Sequence, residues 1–309
     1  MRNVKRTWFR YAWKGADDQV GEIFALSTAL LFAISVILFK KSVGVVSPFA
    51  LNLFKNCLAF SLLLVTAFAI LPLRYVDIPA KHFLVIFVSG AMGVGISDTL
   101  FFIALNRLGA SRTALIDCLY SPLVILFSLL LLGELVPMVT ILGGTLIIGS
   151  VIVSSKRSFG MAISQTQFVA GCMAGAAAMA TVSFAIVMVK PLLNSYPLIW
   201  IATIRLAGGL TVLLLMLPFH RDRKMVYRVF KPSPEWKWMA SGTFFGTYLS
   251  LISWLGGFKY AQAGRVALLN QMSTMFIVLF AAIFLNERLT PVKLFAVAMA
   301  FTGAAIILS

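Results

Sequence analysis

The sequence predicts an all-α integral membrane protein, with ten transmembrane helices arranged as two inverted five-helix repeats. Three observations carry this. Of 309 residues, 61% are hydrophobic and only 12% charged, with a mean hydropathy of +0.97. A soluble domain carries roughly a quarter charged residues, so there is too little polar side chain to coat a water-facing globule. The apolar residues fall into ten runs near the roughly 20 residues that one bilayer crossing needs. Finally, the second five runs repeat polar residues of the first five in register. The composition alone excludes a soluble enzyme, a disordered chain and a collagen-like chain.

In chain order the expected helices cover 22–41, 48–71, 83–105, 112–132 and 137–154, then, after a polar linker over 155–166, 167–190, 196–218, 236–258, 265–285 and 291–308. The two repeats are thus 22–154 and 167–309. Each run has to be helical, because an unpaired amide in hydrocarbon is costly and only a helix pairs its own backbone within a single span. Prolines mark the breaks at Pro48, Pro72, Pro79, Pro137, Pro191, Pro232, Pro234 and Pro291. Residues 1–21 read as a basic cytoplasmic tail. The run behind them is longer than a leader's apolar region and has no small-x-small cleavage site, so it reads as a retained helix.

The net charge of +16 would suggest nucleic acid in a soluble chain. Here the cations gather at the ends of apolar runs, where they meet anionic headgroups and set orientation. The expected partner is the lipid bilayer, with no nucleic acid. Cys57, Cys118 and Cys172 lie far apart inside apolar runs and lack metal-ligand spacing, so each reads as a small hydrophobe. No cofactor and no metal is expected.

The repeat is visible in charges and small residues. Ala110, Arg112, Ala114, Leu115, Phe127 and Glu134 recur 153 positions later as Ala263, Arg265, Ala267, Leu268, Phe280 and Glu287. Lys40 and Lys55 recur 150 positions later as Lys190 and Arg205. Five spans per unit is an odd number, so the second unit enters the membrane from the opposite side. That is the inverted-repeat plan of many secondary transporters, whose binding site lies between the repeats near the midplane.

The stretch ALNRLGASRTALIDCLYSPLVILFSLLLLGE, with its second copy GGFKYAQAGRVALLNQMSTMFIVLFAAIFLNERLTP, resembles the EamA repeat of the drug/metabolite transporter superfamily. The resemblance spans almost the whole chain from about Glu22. It implies ten helices, cytoplasmic termini in a cell membrane (a bacterial inner membrane is expected), and export of small metabolites, amino acids or drugs. It says almost nothing of which substrate. The second copy carries Met275 where the first carries Pro122, so the resemblance does not imply that both halves bend alike.

Ionisable residues at membrane depth are costly and mark functional candidates. Counting along the helices places Lys55, Asp98 and Asp117 at about equal depth. On the functional reading Asp98 and Asp117 flank a polar cavity and carry a coupling proton or pair with a substrate ammonium. The competing reading makes each acid static glue, bonded to a hydroxyl or to Lys55. Asp117 becomes Asn270 in the second half and Asp98 becomes Leu251, while the base persists as Lys55 and Arg205. Those two bases either attract a carboxylate or phosphate or, as we favour, serve structure by snorkelling or bonding helix-end carbonyls. Tyr120, Trp254, Asn270 and Gln271 complete the candidate cavity, with Asn52, Ser121, Trp200 and Tyr248 as weaker candidates.

Glu134 and Glu287 each precede a proline that opens the next helix, where a carboxylate meets free amides and the positive dipole end. Both read as structural. Arg112 and Arg265 open their helices at the interface and read as orientation or lipid contacts. The segment around 225–230 reads as an amphipathic piece on the membrane surface. Small-residue stripes at Gly143/Gly144, Gly171/Gly175 and Ala300/Gly303 permit close helix contact, within the chain or in a homodimer.

The expected function is secondary transport of a small-molecule substrate by alternating access, with proton coupling through Asp98. The alternatives are a passive channel and an organic-anion or phosphate exchanger built on Lys55 and Arg205. An integral-membrane enzyme comes last, since the histidines, His82 and His220, fall in loops on opposite faces. No phosphate-binding GxxxxGK[ST] loop is present to drive an ATP pump.

Overall fold

The computed structural model describes residues 2–40, 46–70, 77–108, 113, 116–155, 164–219, 223–285 and 290–309. These are helical apart from short connections. The elements are α1 (Arg2–Lys40), α2 (Pro48–Ile70), α3 (Ala80–Gly90), a π-helical turn (Ala91–Ser97) leading into α4 (Asp98–Leu108), α5 (Tyr120–Leu132), α6 (Met138–Ser155), α7 (Gln165–Leu193) and α8 (Leu198–Met216). They continue with the short α9 (Arg223–Arg228), α10 (Trp236–Thr243), a second π-helical turn (Phe244–Leu249) into α11 (Ser250–Tyr260), α12 (Ala263–Asn270), α13 (Met272–Leu285) and α14 (Pro291–Leu308).

Seven helices among the described residues are long and apolar enough to cross a membrane, and 120–132 and 138–153 are apolar but shorter. The expected boundaries shift in three places. Helix α1 begins at Arg2, so the basic segment is helical and continuous with the first candidate span, Asp18–Phe39. The third span starts at Ala80, directly behind Pro79. Helix α7 carries Pro191 inside its last turn and ends at Leu193, where the Ser195 and Tyr196 amides both donate to the Leu192 carbonyl.

Local chemistry sets the ends. Gly133 takes the left-handed conformation (φ 66°) that only glycine adopts cheaply, and closes α5 with amides 133 and 134 donating to the Leu129 and Ser128 carbonyls. Thr290 caps α14, its hydroxyl accepting from the Lys293 amide, with Pro291 in the first turn.

Packing follows the small residues. The fifth helix of each half, α6 and α14, lie together with Gly143 against Gly303, and Gly144 receives Leu268. Gly171 and Gly175 receive Leu108 and Ile116. These stripes are consumed inside the chain and are not free for a homodimer. A Cβ at Gly303 would meet the Gly143 carbonyl oxygen, a backbone atom that cannot swing away. Gly303→Val is therefore expected to destabilise the fold by about 1–3 kcal/mol, read as a lower melting temperature in detergent, whereas Ala305→Val on the exposed side should be near neutral.

The amphipathic piece is placed by the fold. Val226 and Val229 are buried against Ala50, Leu53 and Phe54 of α2, and Trp236 Nε1 donates to the Val229 carbonyl at 2.9 Å. That segment is held by packing on α2, which its hydrophobic face alone could not specify.

Candidate functional site

Both halves interrupt the same two helices at the same register. The π-helical turns begin at Ala91 and Phe244, 153 positions apart. The fourth span of the first half breaks into a turn at 118 and 119, and its counterpart breaks at Gln271. Pro122 against Met275 therefore makes no difference to where the break falls. Such π-turns and broken helices free backbone groups at depth, which is tolerated where they line a cavity or find partners in the protein.

A cavity of about 310 Å³ opens between these interruptions. All eight residues proposed from the sequence line it: Lys55, Asp98, Asp117, Tyr120, Arg205, Trp254, Asn270 and Gln271. Its walls are repeat-related almost throughout. At the offset of 150, Ala29 matches Met179, Phe32 matches Val182, Lys55 matches Arg205 and Asn56 matches Leu206. At 153, Gly93 matches Gly246, Ser97 matches Ser250, Asp98 matches Leu251, Phe101 matches Trp254, Asp117 matches Asn270 and Tyr120 matches Ser273. The cavity is thus lined by corresponding residues of the two halves. Asn56, Ser97 and Ser250 were missed by reading charges alone; applying the repeat offset to the neighbours of Asp98 was the signal that could have found the two serines.

The charged residues differ sharply in environment. Lys55 Nζ lies 3.3 Å from Asp98 Oδ2, which joins α2 to the start of α4. This is the static pairing weighed against a coupling role for Asp98. Arg205 of α8 is 1% exposed. It donates to Ser89 Oγ and to the Ala185 carbonyl at 3.4 Å, and its guanidinium lies 5.4 Å from the Trp254 ring centre. It does not snorkel and meets no carboxylate among the described residues, so the helix-end reading of this base is corrected to a buried cation held by neutral groups beside the cavity. The close approach of α3 to α8 that buries it depends on Gly90, where a Cβ would strike the Arg205 backbone.

Gln271 donates from Nε2 to the Asp117 carbonyl at 3.0 Å, satisfying from one half a carbonyl next to the break in the other. With its amide nitrogen toward α1, Asn270 donates to the Ala25 carbonyl at 3.0 Å and accepts from Trp254 Nε1 at 3.2 Å. Trp254 Nε1 also reaches Tyr120 Oη at 3.2 Å. Ser121 bonds the Ala267 carbonyl, and Tyr248 meets Thr66 at 2.8 Å. Asn52, Ser121, Trp200 and Tyr248 lie outside the cavity wall.

Glu134 is structural in a different way from that expected. It does not cap the helix that follows it. Its Oε2 accepts from the Ala263 amide at 2.9 Å, at the start of α12 in the other half, and its Oε1 lies 3.0 Å from Lys190 Nζ, which also donates to the Ala261 carbonyl at 2.6 Å. The tertiary fold offers a free helix start nearer than the local one. Arg265 has a partner its place at a helix start did not predict, because it pairs with Glu22 of α1. His82 meets Tyr196 at 2.6 Å. Glu287, Arg112 and His220 lie outside the described residues.

The EamA-like transporter family matches residues 19–156 and again residues 169–309. One solved structure, described only as a crystal structure of a protein, aligns with a TM-score of 0.79 over 93% of this chain and 95% of that one, at 19% identity. At that identity the likeness shows the fold alone. No curated protein is significantly similar to this chain.

Proposed function

This chain belongs to the EamA-like transporter family, within the drug/metabolite transporter superfamily, and is a multi-pass membrane protein; from that premise we propose that it is a secondary exporter of small metabolites, amino acids or drugs, working by alternating access. Ten crossings, cytoplasmic termini and a place in the cell membrane belong to this reading. The observation that carries it is the cavity whose walls are repeat-related residues. Alternating access in inverted repeats requires a site shared by both halves, so that an exchange of their conformations exposes it to the other side.

Carriers must also hold one side shut. With ten crossings, Glu22–Arg265, Glu134–Lys190 and His82–Tyr196 fall at the face that carries the start of α1, and each joins residues from different halves. These contacts form a polar latch on that face. Proton coupling belongs to the proposal through Asp98, which would release Lys55 when protonated. An anion exchanger using Lys55 and Arg205 together would first have to break the Lys55–Asp98 pair, so the carrier reading needs fewer steps.

The test is counterflow in proteoliposomes loaded with a mixture of amino acids, phosphorylated metabolites and lipophilic cations, followed by mass spectrometry. A carrier gives saturable exchange accelerated by substrate on the far side. Flux that rises without saturation would make the protein a channel, and no protein-dependent flux of any solute would remove the transport reading.

A further inference from the structure

The four charged side chains on the cavity wall do not cancel in the same way. Lys55 and Asp98 neutralise each other at 3.3 Å. Arg205 and Asp117 have no such counter-charge among the described residues. The hydrogen-bond partners of the Arg205 guanidinium, Ser89 and the Ala185 carbonyl, are neutral, and its buried Nε has no acceptor among the described residues. The Asp117 carboxylate accepts no hydrogen bond and meets no cation among the described residues, and Gln271 engages its backbone carbonyl.

An uncompensated charge in a low-dielectric site is costly, and the cost is recovered when a ligand supplies the opposite charge. A guanidinium with donors to spare is built for a planar oxyanion, which it holds through two parallel N–H groups. A lone carboxylate takes an ammonium. A solute with only one of these charges leaves the other protein charge bare, while one carrying both leaves none. The cavity, at about 310 Å³, admits a molecule of amino-acid size.

The two charges also belong to different halves. The first-half counterpart of Arg205 is Lys55, which is paired, and the second-half counterpart of Asp117 is the neutral Asn270. We propose that Arg205 and Asp117 are the specificity-determining residues of the cavity, reading the oxyanion and the ammonium of one small zwitterion, which therefore bridges the two halves. This deepens the carrier reading and rests on it. It also explains why the acid is present in one repeat only: a second copy would bind two ammonium groups and no bridge would form.

The test compares three ligand pools on the purified full-length protein by thermal unfolding: the standard amino acids, their methyl esters (ammonium only) and their N-acetyl forms (carboxylate only). The amino acids are expected to bind at least about tenfold more tightly than either capped pool. In Arg205→Gln the ester pool should match the amino acids, and in Asp117→Asn the N-acetyl pool should do so, a swap of preference that a merely structural role would not produce. If Arg205→Gln does not give a cooperative melt, Arg205→Lys, which keeps the charge and loses the fork, should narrow the preference over esters without removing it. Capped pools that bind the wild type as tightly as the amino acids, or folded variants with unchanged preference, would overturn the assignment. The proteoliposome assay separates the two failures: saturable exchange of a neutral or singly charged solute without amino acids leaves the carrier standing and removes the zwitterion, while no exchange at all removes both.

Discussion

Asp98→Asn is expected to lower substrate counterflow by at least about tenfold while leaving a folded protein. The substitution keeps the size of the side chain and removes the charge that lies 3.3 Å from Lys55 Nζ. The ammonium then faces the cavity without that carboxylate, repels the cationic end of a substrate and holds α2 and α4 together less firmly. A paired variant separates coupling from glue. Replacing a buried ion pair by apolar residues of similar volume is often neutral for stability, and the second half already uses Leu251 at the position of Asp98. Lys55→Met with Asp98→Leu should therefore melt near the wild-type temperature. If the pair is only glue, counterflow returns in this double variant. If Asp98 couples a proton to transport, it stays lost, and counterflow in the wild type, unlike that of the double variant, responds to an imposed pH gradient.

Glu134→Ala should have the second-largest effect, on the distribution between states. The carboxylate bonds the first amide of α12 and lies 3.0 Å from Lys190, so its removal takes away a cap and leaves a partly buried ammonium with the Ala261 carbonyl and the more distant charge of Asp18. Breaking a buried pair from one side costs about 3–5 kcal/mol, and less where, as here, the pair keeps some solvent. That cost falls on the state in which the latch is closed. Single cysteines at Ala261 should become more reactive to a membrane-impermeant thiol reagent in the Glu134→Ala background. Unchanged reactivity would mean that Glu134 only caps α12. The conservative Glu134→Gln keeps an acceptor for the Ala263 amide and should show about half the effect in free energy, since the cap and the ion pair are comparable contributions.

Hydropathy marked the apolar runs, seven of which are long enough among the described residues to cross a membrane, because a bilayer leaves the backbone no alternative to helix, and the recurrence of Lys55 as Arg205 and of Glu134 as Glu287 revealed two units because charges in register do not recur by chance. The candidate cavity residues were legible for the same reason: an ion or an amide inside hydrocarbon must face something polar. What those residues bond to was not legible. Glu134 could be read as structural, yet its partners lie in another half of the chain, at Lys190 and Ala263. Arg265 could be read as interfacial, yet Glu22 is within reach only after α1 has packed beside α12. The π-helical turns at Ala91–Ser97 and Phe244–Leu249 left no mark that charge or hydropathy could detect, because both stretches look like ordinary apolar helix.

The amino-acid sequence by itself determined the class of protein, the repeat and the set of residues that could not face lipid, since each follows from a transfer cost that every residue carries wherever the chain goes. Only the tertiary structure decided which of those charges cancel. Lys55 meets Asp98, while Arg205 is held by Ser89 and the Ala185 carbonyl, and Asp117 is engaged by Gln271 through its backbone carbonyl. Coulomb attraction depends on separation in space, and a chain folded into two opposed halves brings together residues whose distance along the sequence says nothing about it.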